Sequence, residues 1–216
     1  MLRNLQEISD GKIYGTKDMV RAACHDCEGC HACCEDMGTS IILDPYDIWN
    51  LQMGTGTTFE ELLGSALELH VVEGLILPNL KMTEERGRCH FLNEEGRCSI
   101  HANRPGLCRV FPLGRIYEEG QITYFLQADG CKKAERSKVK VEKWLDGAGD
   151  RQMEQYLLQW HGLRKKLQEY LQTETDGERA KTVNMFLLNL FFVTPYEQGE
   201  FFGQFAKRYE QVAKVL

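Results

Sequence analysis

Apolar and polar positions change their period along the chain, and each change marks an element. Residues 1–20 are polar and patternless, which predicts an arm laid against the body. Residues 40–43 read as a short strand. Asp44-Pro45 then opens a helix, with an acid at the N-cap and proline at the first helical position, where the backbone N–H has no partner to lose. Ile48, Trp49 and Leu51 are expected on its buried face. Thr58-Phe-Glu-Glu61 is a capping box, in which the Thr and Glu side chains each satisfy a free backbone N–H, and the helix behind it should end near Gly64.

The middle of the chain reads as β-structure, because Glu73-Gly74, Glu95-Gly96 and Glu119-Gly120 each separate short apolar or alternating runs. Three small hairpins are predicted, the second with Cys89 and Cys98 near its strand ends and the third over residues 115–126, leading to Cys131. From about residue 139 the period becomes helical. Met153, Leu157, Trp160, Leu163, Leu167 and Leu171 fall on one stripe at three- and four-residue steps. Thr175-Asp-Gly-Glu178 and Thr194-Pro-Tyr-Glu197 read as capping boxes of two further helices, and Phe201, Phe205, Tyr209, Val212 and Leu216 continue the apolar face of the last. The C-terminal aromatics, Phe191, Phe192, Phe201, Phe202 and Phe205, are read as core. The expected fold class is therefore α+β, a small cysteine-rich region of short hairpins and helices followed by a helical C-terminal unit. Its expected parts are an arm over 1–20, a cysteine-cluster domain over 21–135 and a helical extension over 136–216.

Charge narrows the partners. A net charge of −6 leaves no concentrated excess of Lys and Arg for a phosphate backbone, so nucleic acid is not expected. The first twenty residues lack the apolar core of an export signal, and the longest apolar stretch, 185–193, is about half of the roughly 20 residues a membrane span needs. A cytoplasmic protein without a membrane role is expected. Nine cysteines in such a compartment serve as metal ligands or redox groups more readily than as disulfides, and the odd count argues further against a complete disulfide framework.

Those cysteines are unevenly placed. Five occur within eleven residues, Cys24-His-Asp-Cys27-Glu-Gly-Cys30-His-Ala-Cys33-Cys34, and four follow at Cys89, Cys98, Cys108 and Cys131. Buried cysteines behave as small hydrophobes, but five so close together exceed what core packing explains. Three-residue steps let successive sulfurs point at one centre from a loop. Repeated CxxCxxC runs suit ferredoxin-like iron-sulfur loops, whereas zinc usually takes CxxC pairs from two hairpins, so the spacing leans toward iron and leaves zinc open. His90 and His101 are weaker ligand candidates, since four-thiolate sites are complete without them. Arg97, Arg104 and Arg109 lie beside ligand cysteines in sequence, where their charge can offset thiolates, while Phe111 and Pro112 would cover the site.

The run CxxCxxCC at Cys27, Cys30, Cys33 and Cys34, followed by Gly-Arg-Cys98-Ser-Ile-His101 and Arg104-Pro105-Gly-Leu-Cys108-Arg109-Val-Phe111-Pro112, resembles the YkgJ-type cysteine-cluster family, described as a zinc- or iron-chelating domain. The resemblance extends over about residues 24–131. It implies Cys27, Cys30, Cys33, Cys34, Cys89, Cys98, Cys108 and Cys131 as ligands, with Cys24 an addition to the usual pattern. The wider family is also similar to flagellin lysine N-methylases, which would imply S-adenosylmethionine as methyl donor and a protein lysine as substrate, although no glycine-rich nucleotide loop follows a strand. Three functions follow: an iron-sulfur protein, with a 4Fe-4S cluster in a redox, sensing or cluster-assisted role; a zinc-held structural or interaction module; and a methyltransferase. The expected partner is a metal ion or cluster, with a protein partner or substrate where the module or enzyme reading holds.

Overall fold

The computed structural model describes residues 5–23, 30–84, 87–133, 135–145 and 150–214. Short helices alternate with three two-stranded antiparallel ribbons in the first two thirds, and long helices fill the rest, so the fold is α+β with a helical C-terminal region. The arm begins with a single helical turn, α1 (Leu5–Ile8), and residues 9–14 then bridge to the third ribbon, with Tyr14 and Tyr124 exchanging both backbone hydrogen bonds at 2.8 and 2.9 Å.

β1 (Met19–Ala23) pairs with β6 (Ser137–Lys140), which leads into the short α5 (Val141–Trp144). Residues 137–140 are thus extended, and the uninterrupted helical stripe begins only with α6 (Arg151–Thr173). The other ribbons are the hairpins β2 (Leu67–Val72) with β3 (Leu75–Leu80), and β4 (Leu113–Glu118) with β5 (Gln121–Leu126). At both turns the Glu and Gly have positive φ, between 50° and 87°, the conformation of a two-residue type I′ turn that matches the twist of the strands. Glycine bears this without a Cβ clash; Glu73 and Glu119 bear it because each hairpin is otherwise in register throughout.

The predicted hairpin around Glu95-Gly96 is reduced to one bridge, Leu92 with Cys98. Asn93 is the reason: its backbone N–H donates to Arg97 O at 2.9 Å while its Oδ1 accepts the Arg97 N–H at 2.8 Å, closing a knuckle before strands can extend. The strand predicted over 40–43 is likewise a single bridge, Ile42 with Asn79, although Leu43 N–H to Pro78 O and Leu80 N–H to Ile41 O fix it to the edge of β3.

α2 (Pro45–Thr55) and α3 (Phe59–Ser65) start as predicted, and both carry complete capping boxes, Asp44 with Asp47 and Thr58 with Glu61. Two later starts differ. α7 (Gly177–Leu188) is capped by Asp176 rather than Thr175, because the carboxylate accepts from both Glu178 and Arg179 N–H. The last helix, α8 (Phe201–Ala213), begins seven residues after Thr194. α7 ends in a π turn, Asn189–Val193, and the chain after it stays irregular because the Arg208 guanidinium donates to the carbonyls of Leu190, Thr194 and Pro195 at 2.7–2.8 Å. Its charge also lies 3.7 Å from the Tyr196 ring centroid.

The core is continuous from the hairpins into the helices. Leu157, Trp160, Leu163, Leu167 and Leu171 are buried along α6 as the stripe predicts. Phe191, Phe192, Phe201 and Phe205 are buried as well, in an aromatic cluster with Tyr46, Trp49 and Tyr156 that joins α8 to the start of α2. Asn184 ties α7 to the first hairpin, accepting the Ile76 N–H and donating to Gly74 O. Among the described residues no helix is long and apolar enough to cross a membrane.

Arg208 should hold the 189–200 segment in place. Arg208→Met removes three charge-assisted bonds to partly buried carbonyls and is expected to cost about 2–4 kcal/mol. Urea unfolding would measure it, and a change under about 0.5 kcal/mol would show that the irregular segment has another cause.

Candidate metal centre

Three stretches of chain converge on one cavity. Residues 30–35 carry a 3-10 turn, Ala32–Cys34, closed by the Cys34 N–H on His31 O at 2.8 Å. Cys34 O accepts the Cys89 N–H at 2.7 Å, and Asp36 N–H donates to Gly87 O at 2.8 Å, so the first cysteine loop lies against the strand-like 87–89 segment. Outside this seam Glu35 pairs with Arg88 at 3.3 Å and with His31 at 3.5 Å. The knuckle from Cys89 to Cys98 is fixed at its base by Ser99, whose N–H and Oγ both reach Phe91 O. A second 3-10 turn, His101–Asn103, leads to α4 (Gly106–Val110), which carries Cys108.

α4 is too short to hold itself and is held from outside. Its first N–H, on Gly106, donates to the Asp47 carboxylate at 2.7 Å. Arg109 lies over the Tyr46 ring at 5.6 Å, and the Trp144 indole donates to Val110 O at 3.2 Å. Asp47 is 3% exposed and Asp44 stands beside it, with the Tyr156 hydroxyl between Asp44 and the backbone N–H of Tyr46. Burial raises both carboxyls, and the charge of Asp44 raises Asp47 further, to about 7.

The resulting cavity has a volume of about 280 Å3, and Cys30, Cys33, Cys34, Cys89, Cys98 and Cys108 line it. These are six of the eight positions the resemblance implies. Cys131 is half-buried and outside the lining; the neighbouring Gly130 packs on Phe111 and Gln127, which do line the cavity. Cys27, and the additional Cys24, lie outside the described residues. All seven described cysteines are free thiols. Among the described residues no three His, Cys, Asp or Glu side chains converge closely enough to hold one metal ion.

The thiols oppose one another's ionisation. A hydrogen bond with the Cys34 thiol raises Cys33 far above the usual thiol range, and burial adds to it. Burial raises Cys89, Cys98 and Cys108, and each is raised further by neighbouring cysteines. Arg104 works the other way on Cys33 and Cys98, and Arg97 on Cys98. A set of soft donors that cannot ionise together without added positive charge has the chemistry of a thiolate metal centre, and it fits zinc or iron.

The arginines divide. Arg97 and Arg104 line the cavity, with Arg104 3.0 Å from His101 Nε2, whereas Arg109 is taken up by Tyr46. His101 and Phe111 line it, and His90 does not. Two contributors escaped the sequence reading. His31, between two cysteines of the run, also lines the cavity, and its ring lies so close to Gly96 that a Cβ there would be 2.9 Å from Nδ1. Asp47 is the other, and nothing local signals its bond to Gly106.

A cavity walled by cysteines in an α+β frame defines a metal-binding protein of the thiolate class. Residues 26–132 match the model of the CxxCxxCC family, whose description is "Putative zinc- or iron-chelating domain". No curated protein and no solved structure matches the chain.

Asp47 gives a pH test of this frame. Its folded pKa is raised above the unfolded value, so its contribution to stability is full below the unfolded pKa, near 4, and is lost as pH rises toward 7. Asp47→Asn removes that titration. At constant metal loading the variant should gain on the wild type as pH rises from about 4 to about 7, whatever the constant offset from the lost acceptor. Parallel stability curves over that range would show that Asp47 titrates normally.

Proposed function

We propose that the chain holds an iron-sulfur cluster, 4Fe-4S, with a redox, sensing or cluster-assisted role, through ligands drawn from Cys27, Cys30, Cys33, Cys34, Cys89, Cys98, Cys108 and Cys131. Residues 21–135 form the binding unit and 136–216 its helical support. The observation that carries the reading is the number of thiols on one cavity. Six cysteines line it, more than the four thiolates that complete a single zinc site. A polynuclear centre uses such a set, and the three-residue cysteine steps favour the same answer. When bound, the cluster would supply one-electron chemistry or a Lewis-acidic iron; the protein supplies the thiolates, the positive charges of Arg97 and Arg104 beside them, and the apolar cover of Phe111 and Phe91.

Metal and acid-labile sulfide analysis on protein purified without oxygen tests this, read with the visible spectrum. Iron with sulfide and absorption near 400 nm that bleaches on reduction is the expected result. Colourless protein with about two zinc ions and no sulfide would replace it with the zinc module, two four-cysteine sites being the most that eight thiolates allow. Because metal-binding free energy becomes folding free energy in such sites, complete metal removal should also unfold residues 21–135. Circular dichroism unchanged after chelation would contradict that.

A further inference from the structure

A second cavity, of about 320 Å3, shares Ser40 and Leu107 with the thiol-lined one. Two acids and two bases face it, and their situations differ. Asp44 and Asp47 are committed to the fold: Asp47 accepts the N–H groups of Gly106 and Asp44, and Asp44 accepts the Asp47 N–H and pairs with the Tyr156 hydroxyl. Arg115, from β4, and Arg164, from α6, are less completely bonded. Among the described residues neither makes an ion pair. The Nε of each is buried without a hydrogen-bond partner, although Arg115 also reaches the Tyr117 and Tyr124 hydroxyls. Asp44 acts electrostatically on both guanidinium groups and Glu73 on that of Arg164, but the buried Nε donors stay unmatched, and buried donors on charged groups are costly without a partner.

The rest of the wall is aromatic. Tyr117 and His161 stack face to face with ring centroids 4.1 Å apart, and Trp160 lies beside them. The volume is at the lower end of the roughly 300–1,000 Å3 typical of small-molecule sites, too small for a macromolecular segment with its own fold.

We propose that this cavity binds a small organic anion, with its carboxylate or phosphate group on Arg115 and Arg164 and an apolar or aromatic body against Trp160 and the Tyr117–His161 pair. Arginine donates to either oxyanion in two parallel bonds, so both groups share the recognition chemistry. The site stands independently of which metal the cysteines hold.

Calorimetric titration of the full chain, with its metal content measured first, tests the assignment. Benzoate and phenyl phosphate are the probes, and acetate and inorganic phosphate are the same anions without the body. Saturable binding of benzoate or of phenyl phosphate is expected, and whichever binds identifies the anionic group. The bodyless anion should bind at least about tenfold more weakly. Arg164→Gln should weaken the aromatic anion by about tenfold or more, and Arg115→Lys, which keeps the charge but loses the fork, serves where the first variant does not fold. No saturable binding of either aromatic probe up to about 10 mM would overturn the proposal. So would unchanged affinity in whichever of the two variants folds.

Discussion

The bond between the Gly106 N–H and the Asp47 carboxylate ties α4 to α2, and through Asp44 and Tyr156 to the C-terminal helices. α4 has five residues, fewer than an isolated helix needs to persist, so its position is set by what grips it. Asp47 grips its N-terminus from inside the first turn of α2, where the reciprocal box with Asp44 fixes the carboxylate in turn. Tyr156 of α6 closes the chain by meeting both Asp44 and the Tyr46 N–H. A cysteine of the metal-binding domain is therefore positioned, through three polar contacts, by a helix of the C-terminal region. Replacing such a network by apolar side chains could match its stability; it could not aim α4.

The thiol cavity has the opposite character. The frame around Asp47 is satisfied by its own hydrogen bonds, whereas the cysteines line a space where each ionised sulfur disfavours the next. Two nearby arginines are too few to offset six thiolates. Positive charge from a metal is the missing part of the local electrostatics, and this couples the conformation of the three cysteine-bearing stretches to metal uptake. Backbone bonds between Cys34 and Cys89 and within the Asn93 knuckle already fix their order of approach.

Much of this was legible in the sequence because it is local. The caps at Asp44 and Thr58, the Glu-Gly turns of two hairpins and the α6 stripe each depend on residues within a turn or two of one another, and all formed where the pattern put them. The failures have distant causes. Thr194-Pro195 has the signature of a helix start, but a side chain from α8, Arg208, takes the Thr194 and Pro195 carbonyls and keeps the segment irregular. Glu95-Gly96 promised strands, and Asn93 closed the turn with its side chain before they could grow. Clustering of Cys30, Cys33 and Cys34 was legible by spacing. The hairpin predicted around Glu95-Gly96 brought Cys89 and Cys98 together, while the place of Cys108 beside them rested on the resemblance, since no period links positions so far apart.

α4 also limits how the site can change shape. Gly106 is held by Asp47, Leu107 forms part of the wall common to both cavities, Cys108 faces the thiols, Arg109 lies on Tyr46, and the Val110 carbonyl is held by Trp144. Successive residues are thus fixed by different elements, and a displacement of the helix must break contacts to α2 and α5 together. Packed interiors respond to such demands by keeping one arrangement until another complete one is available. The wall is consequently a partition between the two cavities that is held from both ends of α4.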